Sequence, residues 1–105
     1  MAVYKLKFMF DWYAGSCLWS ANRAADEKYG YPADMSELPL SDALKKELYK
    51  LAEWHDEALN WDDPAGELLW SSEQVEYFFV VAEKMYHRVC EELGDDYEIE
   101  YIGGL

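Results

Sequence analysis

The sequence predicts a small α+β domain in which the two ends of the chain form a short sheet and three helices pack on it. Three observations predict it. Apolar and polar residues alternate over 3–12 and again over 97–102, the period of a strand with one wet face. Between those segments apolar residues recur three and four apart, the period of a helix with one buried face. With 105 residues, 51% of them apolar, the chain can build one core and is too short for two, so residues 1–105 are read as a single domain.

Taken in order, Tyr4, Leu6, Phe8, Phe10 and Trp12 fall on one face of the first strand, and Lys5, Lys7, Met9 and Asp11 on the other. At the far end Tyr97, Ile99 and Tyr101 share a face opposite Glu98 and Glu100. Lysines on one strand and glutamates on the other suit cross-strand pairs. The terminal strands are therefore expected side by side, in either direction. Tyr13 to Ser16 reads as a turn and residues 17–19 as a short third strand, which a marginal two-stranded sheet would need.

The first helix is expected over 21–29, with Ser20 as N-cap and Gly30 and Pro32 ending it. Ala21, Ala24 and Ala25 give it a small face for close approach to the sheet. Residues 31–40, with two prolines, read as a packed connector. The second helix is expected over 42–59, capped by Ser41, with Leu44, Leu48, Leu51, Ala58 and Leu59 in its apolar stripe and His55 set among them. The third is expected over 72–93. Ser71 and Gln74 have capping-box spacing, Trp70 and Val75 have staple spacing, and Gly94 stops the helix. Its core face runs from Val75 and Phe78 to Val89 and Leu93 at steps of three and four.

Motifs for catalysis are missing. His55-Asp56-Glu57 invites an acid–base reading, but neighbours on a helix do not face one another, and a histidine in an apolar stripe reads as a core residue. Cys17 and Cys90 form no CxxC pair and read as buried thiols. Asp62-Asp63 with Glu67 lacks the alternating ligands and central glycine of a calcium loop. No phosphate loop or dinucleotide fingerprint is present. The reading is of a non-enzyme with no metal and no cofactor. No run approaches a membrane span or a signal peptide, so the chain reads as cytosolic and reduced.

Charge is the most informative feature. Residues 1–52 hold seven acids and seven bases, whereas residues 53–105 hold fifteen acids against Lys84 and Arg88 alone, so the whole net charge of -13 lies in the second half. Between Lys50 and Lys84 there are nine acids and no base. Such a chain is a poor partner for nucleic acid or anionic membrane, whose phosphates need Lys and Arg. Its natural partner is a basic protein. Antiparallel second and third helices would gather these acids at one end of the domain. Trp54, Trp61, Trp70 and Tyr77 fall in the same stretch, and aromatics among acids suit an Arg- and Lys-rich surface. Glu53, Asp56, Glu57, Trp61, Asp62, Asp63 and Glu67 are therefore the expected partner-binding residues, with Trp61 as the exposed anchor. The plain alternative is a solvated acidic face.

A small, acidic, aromatic-rich α+β chain resembles the immunity proteins of bacterial contact-dependent inhibition and polymorphic toxin systems. The resemblance is one of type and carries no motif. It implies an inhibitor that occludes a basic toxin domain, such as a nuclease. The stretch Cys17-Leu18-Trp19-Ser20-Ala21-Asn22 through Tyr29-Gly30-Tyr31-Pro32 also resembles small bacterial proteins with no activity attached. Two other readings stand beside it. One is a small-molecule-binding or enzymatic domain with a pocket near Trp19–Arg23, its polar groups Asn22 and Arg23. The other is a subunit that dimerises through a sheet edge, so a monomer and a homodimer are both open.

Overall fold

A computed structural model describes residues 2–11, 15–60, 62–63 and 66–102. Strands β1 (Tyr4–Phe8), β2 (Leu18–Ser20) and β3 (Tyr97–Tyr101) form one sheet in the order β2-β1-β3. Helices α1 (Arg23–Tyr29), α2 (Asp42–Asp56) and α3 (Ser72–Leu93) complete the fold. The α+β architecture expected from the sequence is the observed one.

The terminal strands are neighbours, and their direction is now defined. β1 and β3 run parallel, with Lys5 opposite Glu98 and Lys7 opposite Glu100. Lys5 Nζ lies 3.6 Å from a Glu98 carboxylate oxygen. β2 pairs antiparallel on the other side of β1, with Lys7 opposite Trp19. The first strand is shorter than expected, ending at Phe8 rather than residue 12. Phe10 continues the same face, half-buried against the core, while Trp12, Tyr13 and Ala14 lie outside the described residues. The expected turn over 13–16 is thus described only from Gly15 onward.

Two helix boundaries differ from expectation. α1 starts at Arg23, because Ser20 and Ala21 still belong to the sheet: Ser20 pairs with Leu6, and Ala21 N–H donates to the Lys5 carbonyl at 2.8 Å. Asn22 is the N-cap, its Oδ1 accepting from Ala25 N–H at 3.0 Å. Ser20 Oγ–H instead donates to the Gly30 carbonyl at 2.6 Å. α2 ends at Asp56 rather than 59. Glu57 and Ala58 donate their N–H groups three residues back, to Trp54 and His55, the tightened last turn common at helix ends. Ala58 and Leu59 are buried all the same, outside the helix.

Ala21, expected on the small face of the first helix, precedes α1 and is exposed, whereas the cap and stop signals of the two longer helices fold as read. Ser41 Oγ accepts from Leu44 N–H at the start of α2. Ser71 and Gln74 satisfy each other's backbone N–H groups in a full capping box. Gly94 takes a positive φ of 75° past the end of α3, the conformation that favours glycine. The connector closes on the edge of β2, where Ala33 N–H donates to the Leu18 carbonyl. Helices cover one face of the sheet. Leu6, Phe8 and Ile99 meet Leu44, Leu48 and Leu51 of α2 and Phe78, Ala82 and Val89 of α3 in one cluster. The opposite face presents Lys5, Lys7, Glu98 and Glu100.

Candidate functional site

The acidic end is built by the junction of α2 and α3. The two helices are antiparallel. Trp54 packs against Tyr77 and Phe78 at one end, and the Ser41 N–H donates to Glu92 at the other, at 2.6 Å. The loop between them is tied back at two places. Leu69 N–H donates to the Ala58 carbonyl at 2.8 Å, and the Trp70 ring lies 5.6 Å from Trp54 and 5.3 Å from Phe78. Within the loop, Asn60 Oδ1 accepts from Asp62 N–H, and Gly66 N–H donates to the Asp63 carbonyl. A Cβ at Gly66 would come within 2.5 Å of an Asp63 carboxylate oxygen, so a larger residue there would displace the exposed Asp63 side chain.

Most of the expected site residues are open to solvent. Glu53, Glu57, Asp62, Asp63 and Glu67 are exposed, and Asp56 is half-buried. Trp61, the expected anchor, lies outside the described residues. Among the described residues, Lys and Arg pair with Glu98, Glu27 and Glu47, all outside the 53–83 run. The acids of this run therefore carry like charge with no Lys or Arg between them in the chain. Self-repulsion of that kind is relieved by added salt. Raising NaCl from about 0.02 M to about 0.5 M should increase Tm by roughly 4 °C, the equivalent of about 1 kcal/mol in a domain of this size. A melting temperature that is flat or falls with salt would show the acids to be internally compensated.

His55 is buried, with only 2% of its surface exposed. Its ring stacks on Phe10 and lies against Phe78, which makes it a core residue as its place in the stripe suggested. Burial holds its imidazole below the ordinary value, against the opposing pull of Asp56 and Asp11. The unfolded chain then takes up this proton at a higher pH than the folded one. Stability is present above about pH 6.5 and is lost as the pH falls below it. Thermal melts between about pH 7.5 and pH 5 should show the decline, and His55→Gln should flatten it. An unchanged profile in the variant would assign the decline to other groups.

Burial pushes the Cys17 thiol up to about 12, which disfavours the thiolate that a nucleophile needs. Asn22, besides capping α1, donates to the Val3 carbonyl, and Arg23 pairs with Glu27 on its own helix. Both nevertheless line an open surface hollow of about 400 Å³ with Lys7, Ser20, Asp26 and Tyr31, at the place where the sequence puts a pocket near Trp19–Arg23. Each sheet edge has one carbonyl engaged: that of Leu18 in β2 accepts from Ala33 N–H, and that of Ile99 in β3 accepts from the Tyr86 hydroxyl. Among the described residues no group of His, Cys, Asp or Glu could hold a metal ion, and no helix is long and apolar enough to cross a membrane.

Sequence reasoning named Tyr77 only among the aromatics of the stretch and passed over Leu69 and Val80. Leu69, Tyr77 and Val80 are 61%, 62% and 52% exposed, beside the acids and on the outward arc of α3 or the loop leading to it. Their signal was available, since Tyr77 and Val80 fall off the buried stripe of Phe78, Ala82 and Val89. A protein-family model described as Serratia CdiI immunity protein-like matches residues 4–104. No curated protein matches the chain.

Proposed function

The chain belongs to the Serratia CdiI immunity protein-like family, and from that membership we propose that it binds and neutralises a toxin, acting as an inhibitor rather than an enzyme. We further propose that the toxin is basic and nuclease-like, and that the acidic end of the domain occludes it. The observation that carries this reading is the set of exposed carboxylates at Glu53, Glu57, Asp62, Asp63 and Glu67, in a run of chain with no base from Lys50 to Lys84. Asp56 borders the set, and Trp61 is proposed as an apolar contact within it. A nuclease must hold phosphates with Lys and Arg, and carboxylates placed over those cations would both attract the toxin and block its substrate.

The test is neutralisation. The genes flanking this chain's own are searched for a large secreted protein, and its toxin domain is expressed with and without the chain. Growth should be restored by the chain, and the two proteins should purify as one complex. If the toxin remains lethal and no complex forms, the immunity reading fails. If the toxin is neutralised but has no nucleic-acid-cleaving activity, the nuclease-like part fails alone.

A further inference from the structure

We propose that the groove between α2 and α3 is the apolar half of the toxin-binding surface, receiving a hydrophobic side chain from a toxin segment whose flanking Lys or Arg residues lie toward the acidic end. The inference rests on the immunity reading above. The groove is open and holds about 310 Å³, lined by Leu51, Trp54, Val81 and Met85, with Glu47 and Lys50 at its rim. The volume is at the lower end of the range for ligand sites and has room for one large side chain. One end is closed by the ion pair of Arg88 with Glu47. At the other end stand the Trp54 and Tyr77 rings, 5.8 Å apart.

Charge decides the occupant. Beyond Trp54 and Tyr77 the next helical turns carry Glu53, Glu57, Glu73 and Glu76, all exposed, whereas Lys50 and Lys84 stand at the middle of the groove's length. A cationic segment is thus attracted to one end only, which gives it a direction as well as a site. A second copy of this chain would bring another net charge of -13 onto the same face, which self-repulsion disfavours. An apolar floor with acids at one end offers a toxin segment a few anchors, and a few anchors supply most of the binding free energy of an interface.

The experiment uses the full chain and the toxin domain that the neutralisation test identifies, with association and dissociation followed separately. Val81→Gln should speed dissociation by about thirtyfold while changing the association rate by less than about threefold. Tyr77→Ala, at an exposed position, should act in the same direction. A second measurement needs no groove variant. In wild-type chain with labelled methionine methyl groups, toxin should shift the Met85 signal and leave that of Met35 in place, because Met35 is buried in the core. If toxin binds and both Val81→Gln dissociation and the Met85 signal are as in the free wild type, the groove is empty and the proposal is overturned, while the immunity reading survives. If wild-type chain binds no toxin at all, the immunity reading itself has failed. Sedimentation showing a wild-type dimer that Val81→Gln dissociates would assign the groove to a second copy and overturn the proposal.

Discussion

Replacing Phe78 by alanine should cost about 3–5 kcal/mol, a large share of the roughly 5–15 kcal/mol that holds a domain of this size together. Phe78 is fully buried. Its ring lies within about 5 Å of Phe10, Trp54, Trp70 and Phe79, and so joins the end of β1, both long helices and the loop between them. Truncation leaves a cavity that rigid rings on four sides cannot close, and the cavity adds to the lost transfer free energy. Denaturant midpoints would measure the loss. The adjacent Tyr77→Ala, on the outward side of the same helix, should cost under about 1 kcal/mol. A Phe78→Ala protein with a near wild-type midpoint would mean that the aromatic cluster does not organise the core.

The second large effect is kinetic. Asp62→Lys with Asp63→Lys reverses two exposed charges in the loop and changes the local charge by four units. Association with the toxin should slow by about tenfold or more at low salt, and the difference should shrink as salt screens it. Thermal stability should stay within about 0.5 kcal/mol, as for other surface substitutions, because the hydrogen bonds in which these two residues take part in the loop use their backbones. Wild-type association rates in the double variant at low salt would mean that the acids are only a solvated face. The interface would then have to lie on the near-neutral half, around Trp19 to Pro32.

Much of this architecture is legible in the residues. Lys5 and Lys7 against Glu98 and Glu100 predicted which strands are neighbours, and the observed register sets those residues opposite one another. The charges are symmetric under reversal of one strand, so the parallel direction was not readable from them. Ser41 and Ser71 were found because capping is local chemistry. Ser20 was mistaken for a cap because Ser20 and Asn22 are equally suitable by type. The choice is made by hydrogen bonds to β1, far away in the chain. The end of α2 was misplaced for a related reason. Burial of Ala58 and Leu59 continues the apolar period, but periodicity reports which side of a residue is dry, not whether its backbone remains helical. At the acidic end, the carboxylates were visible as a run without bases. The groove beside them was not, because it depends on how two helices separated by a loop set Leu51 and Trp54 against Val81 and Met85.

The pairing of β1 with β3 also bears on when the molecule becomes competent. The central strand of the sheet is made first and its parallel neighbour last, so a chain growing on the ribosome carries β1 with one edge open until β3 has emerged. Contacts so distant in sequence slow folding. The helices that form the acidic end are complete before the sheet beneath them can close. Protection against a toxin should therefore lag behind synthesis of the chain by its folding time. A premature stop anywhere before Tyr97 should yield a product with an unpaired central strand, prone to aggregation rather than partly protective.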